Sequence, residues 1–361
     1  MEKNLLALAT AISAGVPALI WGAPGTGKSS AIMALGKAMG LPVEVVIASI
    51  REPADFAGLP VVQAGEVHFA PPAWARRLTQ AGEGILFLDE ISTAAPAVQA
   101  ALLRVVLDRA VGDLVLPDKV RIVAAANPPE QAAGGWDLSH PLANRFVHLD
   151  WPVDPSAWTE GMLSGWRTPA VPSLPIGWEA GIPASRALVA AFIKARPSLL
   201  LVVPKDDEKA GRAWPSPRSW DMAARLLAAG RAGQVGDDVI ASLVTGAVGE
   251  GAGLEFLAWL REVDLPDPED VLAAPDNFKI PARGDLAFAL LASVISAAVS
   301  NLTRDRWMAA WRVLAKAAEQ GGRDVAAVAA KTLAANRGNH PLPLKDLQPF
   351  VELLKAGGLM Q

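Results

Sequence analysis

The chain of 361 residues has 33 Lys and Arg against 37 Asp and Glu, a formal charge of −4, so no global field draws it toward nucleic acid or anionic lipid. It has no cysteine, which excludes disulfides, thiolate metal sites and cysteine nucleophiles. A hydrophobic fraction of 52% excludes extensive disorder, and the length points to two or three domains.

The start, Met1-Glu2-Lys3-Asn4-Leu5-Leu6-Ala7, lacks the basic region and long apolar core of a secretion signal, which gives the expectation of a cytoplasmic protein. From residue 1 to about 150, short apolar runs alternate with helical segments, as a parallel α/β sheet requires. Five strands are predicted: Ala18–Trp21, Val43–Ser49, Ile85–Asp89, Val120–Ala126 and Val147–Trp151, each with polar residues at its end, where open α/β sheets bind ligands. The first runs directly into Gly22-Ala23-Pro24-Gly25-Thr26-Gly27-Lys28-Ser29, which satisfies G-x-x-x-x-G-K-[ST]. Glycines let such a loop turn its N–H groups onto phosphate oxygens, Lys28 supplies a charge, and Ser29 offers a hydroxyl to Mg²⁺. The helix that follows, beginning Ser29-Ser30-Ala31, adds its positive end.

Two segments read as hairpins, residues 61–69 about Gly65 and residues 110–117 about Gly112. Between them, Gly84-Ile85-Leu86-Phe87-Leu88-Asp89-Glu90 is an apolar strand ending in two acids, the Walker B arrangement. Asp89 is then the Mg²⁺ ligand and Glu90 the group that polarises the attacking water. Ser49, ending the second strand, is a candidate to restrain Glu90. The strand Val120–Ala126 ends in Asn127, an amide able to orient water or touch a γ-phosphate; an Asn-Pro step is equally an ordinary turn starter, so Asn127 alone leaves both readings open. Pro128 and Pro129 stop that strand. Residues 162–183, crowded with Gly, Pro and Trp, read as an irregular connector.

Helical spacing then predicts Ala184–Ala195, Pro217–Gly230, Asp237–Val248, Gly253–Val263, Asp285–Leu302, Arg306–Gln320 and Asp324–Asn336, with Ser216-Pro217 a clear helix start. The uncharged run Leu286–Thr303 approaches bilayer-spanning length, but its serines, Asn301 and Thr303 favour a buried helix, and no membrane partner is expected.

These motifs together resemble the AAA+ ATPases, and within them the MoxR group, whose relatives include the magnesium-chelatase and McrB-like ATPases. Besides the phosphate loop, the Asp-Glu strand and Asn127, Pro141-Leu142-Ala143-Asn144-Arg145-Phe146 is similar to the family's helix end carrying an arginine finger. Pro215-Ser216-Pro217-Arg218-Ser219 is similar to the sensor-2 start of a lid helix, and residues 51–60 with 68–74 resemble the group's helix-2 insertion. The resemblance covers residues 15 to about 230. It implies an α/β P-loop AAA+ domain over 1–155, a connector and helical lid over 156–262, and a helical C-terminal extension over 263–361.

The resemblance further implies a Mg²⁺-dependent ATP hydrolase whose sites are shared between subunits of a ring, a hexamer by family habit. Glu90, Asn127, Arg145 and Arg218 are its catalytic residues. Gly22, Ala23, Pro24, Gly25, Thr26, Gly27, Lys28, Ser29 and Ser30 bind the nucleotide, and Ser29 and Asp89 hold the metal. Read alone, Arg145 is a helix-end arginine facing solvent. Arg104 and Arg109 are rivals for a role across the subunit boundary, and His140 is read as structural. The group's habit gives a partner with a von Willebrand factor A domain. Since Ala64-Gly65-Glu66 is neither basic nor aromatic, remodelling of a docked partner is expected over threading. A McrB-like motor coupled to nucleic acid is the alternative, and a phosphoryl transferase a more distant one.

Overall fold

The computed structural model describes residues 2–128, 136–262 and 265–359. Strands in chain order are β1 (Ala18–Trp21), β2 (Val43–Ile47), β3 (Leu59–Gln63), β4 (Glu66–Ala70), β5 (Glu83–Asp89), β6 (Ala110–Val111), β7 (Leu114–Val115), β8 (Lys119–Ala126) and β9 (Val147–Asp150). The five expected sheet strands pair in parallel in the order β2-β5-β8-β1-β9. Their Val-, Ile-, Leu- and Ala-rich sequences suit this pairing, because helices on both faces leave the central strands no solvated side. All four residues of β1 are buried, as are Ile85–Leu88 of β5.

Strand ends differ from expectation by one or two residues. β2 stops at Ile47 because Ala48–Ile50 turn into a 3₁₀ helix, which carries Ser49 past the sheet edge. β9 stops at Asp150, and Trp151 follows it. Pro129, expected to help stop β8, lies outside the described residues, as does Val263 at the end of one predicted helix.

Both expected hairpins form, β3 with β4 and β6 with β7. Asp113, in the turn of the second, anchors the first: its N–H donates to Phe69 O at 3.0 Å, and its carboxylate accepts from Phe69 N at 2.8 Å. The β3–β4 hairpin stands clear of the core, with Leu59, Val62 and Val67 each at least 60% exposed.

Packing divides the chain into two compact units, and it cuts the expected segments 1–155, 156–262 and 263–361 differently. The first unit comprises residues up to Ile176 together with Leu199–Leu254. Its sheet core includes Leu19, Phe56, Trp74, Leu86, Leu88, Leu102, Leu142 and Phe146. The helices Pro217–Ala232 and Asp237–Val248, expected in a separate lid segment, pack here against the helix Glu2–Ala14. Helix 237–248 also seats directly on β9: a Cβ at Gly246 would stand 2.2 Å from the carbonyl oxygen of His148, so only glycine fits.

The second unit comprises Gly177–Ser198 and Glu255 onward. It is helical, with Ile182–Ala195, Gly284–Ser300, Arg304–Glu319 and Arg323–Ala335 as its longer elements. Trp307, Trp311, Leu290, Leu291, Val294, Leu333 and Phe350 fill its core. The uncharged run 286–303 belongs to the buried helix Gly284–Ser300, and among the described residues no helix is long and apolar enough to cross a membrane. Residues 162–183 are less irregular than expected: the helix Pro155–Ser164 takes the first three, and a 3₁₀ turn at Trp178–Gly181 leads into Ile182.

Candidate active site

The carboxyl ends of the five sheet strands gather the polar motifs. β1 delivers the phosphate loop, β5 the acid pair, β8 Asn127, and β2 Ser49. In the loop, Gly25 and Gly27 have φ of 76° and 81°, and nothing lies within 4 Å of a Cβ built on either. That is the left-handed backbone and open approach that a phosphate-cradling loop needs, and Gly27 then caps the helix Lys28–Met39.

Lys28 is buried, and its ammonium donates to the carbonyls of Gly22 at 2.6 Å and Ala23 at 3.0 Å and to Asn127 Oδ1 at 2.9 Å. Burial lowers its pKa from the ordinary lysine value, while the nearby Asp89 and Glu90 carboxylates oppose that shift. Asn127 is thereby joined to the phosphate loop. Ser92 steadies it from below, its hydroxyl lying 3.3 Å from Asn127 N and 3.4 Å from Asn127 O. Thr26 donates to Ala23 O at 2.8 Å, closing the loop on itself. Ser30 follows Ser29 in the first helical turn and is exposed.

Ser29 Oγ donates to Asp89 Oδ2 at 2.7 Å, so hydroxyl and carboxylate, 60 residues apart, meet at one point. A hydroxyl and a carboxylate oxygen are the hard donors Mg²⁺ takes, an ion that is usually held by one or two protein groups together with phosphate oxygens and water. These donors fit the metal. Glu90 sits in the left-handed region at φ 55°, an outlier for a residue with a side chain, and its carboxylate accepts a hydrogen bond from Ser49 Oγ. Glu90 is exposed to solvent, and its N–H donates to Asp89 Oδ1 at 3.0 Å.

The two expected arginines form a second centre. Arg145 is half-buried at the end of the short helix His140–Ala143; its Nη1 donates to Pro141 O, and its Nε is buried without a partner among the described residues. Burial lowers its pKa, the positive charge of Arg218 lowers it further, and Asp108 opposes both. Arg218 is exposed in the first turn of helix 217–232, and among the described residues its guanidinium makes no hydrogen bond or ion pair.

The rivals separate. Arg109 turns inward and donates to the carbonyls of Leu116, Pro117 and Val120, so its guanidinium braces the turn after helix Pro96–Asp108. Arg104 reaches Gly112 O only at 3.5 Å. His140 opens the short helix before Arg145.

Several supporting residues escaped the sequence. Trp21, directly before the loop, donates from Nε1 to His148 Nδ1 at 2.9 Å, while Nε2 of His148 contacts Ala143 O at 2.9 Å. His148 is therefore neutral with its proton on Nε2, and burial lowers its pKa to about 4. Arg212, a few residues before helix 217–232, stacks 4.0 Å above the Trp21 ring and pairs with Asp150 at 3.2 Å. Only an aromatic residue abutting the loop was legible, since its partners lie far along the chain.

Residues 17–146 match the AAA domain (dynein-related subfamily), a family of AAA-type ATPases, which bind ATP with Mg²⁺ and commonly assemble into rings. Among solved structures the chain is similar to a candidate ATPase from Cytophaga hutchinsonii, at 18% identity over 71% of this chain and 88% of that one, with a TM-score of 0.43. It is also similar to a full-length MCM homologue from Methanopyrus kandleri, at 18% identity and a TM-score of 0.38, over 72% of this chain and 54% of that one, so the chain spans about half of that protein.

Proposed function

We propose that this chain is a Mg²⁺-dependent ATP hydrolase of the MoxR type, working as a hexameric ring whose nucleotide sites are completed by the neighbouring subunit. The observation that carries this reading is the meeting of Ser29 with Asp89 and of Lys28 with Asn127 at one sheet edge. On arrival of ATP, the Lys28 ammonium leaves the Gly22 and Ala23 carbonyls for the β- and γ-phosphates, whose charge also offsets the burial that lowers its pKa. Ser29 and Asp89 would hold Mg²⁺. The ion's chemistry is to neutralise charge developing on the phosphate oxygens.

Glu90, once Ser49 releases it, accepts the proton of the attacking water, and Asn127 orients that water. Ser49 thus keeps hydrolysis slow until a partner binds. Arg218 reads the γ-phosphate of its own subunit, and Arg145 stabilises transition-state charge in its neighbour's. The ring remodels or activates a docked partner, for which a von Willebrand factor A domain protein is the family's precedent. The exposed apolar side chains of β3 and β4 offer such a partner a contact.

ATP hydrolysis per subunit, measured against protein concentration with Mg²⁺, tests the reading. A steep rise with assembly is expected. An appreciable rate independent of concentration would leave each subunit complete alone and end the ring mechanism.

A further inference from the structure

We infer that Asn144 is a positioning residue that locks the helix end bearing Arg145 to the helix start bearing Arg218, so that the two guanidiniums move together. This rests on the ATPase reading above. Asn144 is 3% exposed, yet both ends of its amide are satisfied by the segment entering helix 217–232. Its Nδ2 donates to Trp214 O at 3.0 Å, and its Oδ1 accepts from Ser216 Oγ at 2.6 Å.

Ser216 is no incidental partner. It is the N-cap of that helix, accepting from Ser219 N at 3.1 Å, while its own N–H donates to Ser219 Oγ at 2.8 Å. Arg218 lies inside this capping box, so whatever fixes Ser216 fixes the root of Arg218. Arg145 is the next residue after Asn144 and has no carboxylate pair among the described residues to place it.

The preceding residue is tied as well. Ala143 O contacts His148 Nε2, and His148 Nδ1 accepts from Trp21 at the root of the phosphate loop. A buried chain of hydrogen bonds therefore runs from the loop, through 143–144, to the lid-type helix. Each link left unpaired in a dry site is costly, so the chain moves as a body or breaks.

The test is steady-state ATP hydrolysis by the full chain at ring-forming concentration. Asn144→Ala should lower kcat by about 10- to 100-fold, as a displacement of about 1 Å does, with the KM for ATP held within about threefold because the phosphate loop is intact. Added to the double variant Arg145→Ala, Arg218→Ala, it should change little, since it acts through those two arginines. Ser216→Ala should lower kcat in the same way, and Ser216→Thr, which keeps the hydroxyl, should recover most of it; this pair decides the matter if Asn144→Ala does not fold. Full activity of Asn144→Ala, a loss confined to KM, or a loss that multiplies with that of the double variant Arg145→Ala, Arg218→Ala overturns the inference alone. Wild-type hydrolysis by both Arg145→Ala and Arg218→Ala overturns the functional reading, and this inference with it.

Discussion

The paired arginines of the helical unit and two cations of the other unit, Lys28 and Arg145, are treated in opposite ways. In the helical unit, Arg283 pairs with Asp285 at 2.7 Å, Arg306 with Glu269 at 2.6 Å, and Arg312 with both Asp276 and Asp346, and each of these arginines has its pKa raised by its carboxylate. The Arg283 guanidinium in turn lowers the Asp285 carboxyl to about 2. At the sheet edge of the other unit, Lys28 and Arg145 are pushed the other way by burial, and neither has an ion pair of its own among the described residues. Paired arginines hold helices together. Lys28 and Arg145, desolvated and without a carboxylate pair, are the cations the proposed site would turn to an anion, whereas Arg109, also desolvated, is committed to three carbonyls of its own chain.

Substitutions sharpen that contrast, starting with the largest effect. Arg145→Ala should reduce ATP hydrolysis by about a thousandfold, the scale of an arginine finger, and Glu90→Gln by about a hundredfold or more. Both should leave the melting temperature within a few degrees, because neither side chain fills the core; a coupled-enzyme assay and a thermal melt read the two quantities. A large fall in melting temperature with hydrolysis retained would place Arg145 among the structural arginines instead.

An intermediate effect is expected from His148. Its pKa of about 4 in the fold lies below the ordinary 6.5, so the unfolded chain takes up the proton first as pH falls. Stability should therefore be complete above about pH 6.5 and decline toward pH 4, by on the order of 3 kcal/mol at most. Denaturant titrations of the wild type and His148→Gln across that range check the sign: the variant should start less stable at pH 7 and show a shallower acid decline.

The smallest effect belongs to the paired arginines. Arg306→Ala should cost about 1 kcal/mol or less, since Glu269 is largely exposed, and should leave hydrolysis unchanged. Loss of hydrolysis there would break the division between binding and bracing cations.

Local pattern carried much of this molecule. β1 and helix 237–248 have the boundaries read from apolar spacing, and Ser216-Pro217 marks a helix start with its capping box in place. The phosphate loop and Asp89-Glu90 were legible because the chemistry of phosphate and Mg²⁺ demands particular residues at fixed short spacings. Ser49, read as a polar strand end and a candidate to restrain Glu90, does donate to the Glu90 carboxylate in the fold. Arg109 was not legible, because a helix-end arginine looks the same whether it faces a neighbour or three carbonyls of its own chain.

The sequence by itself determined the five sheet strands to within one or two residues and the phosphate-loop and acid-pair motifs as candidates for a nucleotide site, since each is written in a contiguous stretch. Tertiary structure alone decided that residues 199–254 pack with the sheet, that His148 answers Trp21 across 127 residues, and that Asn144 answers Ser216 across 72. A buried amide or imidazole must find its partner wherever the fold brings one, and no local spacing encodes that distance.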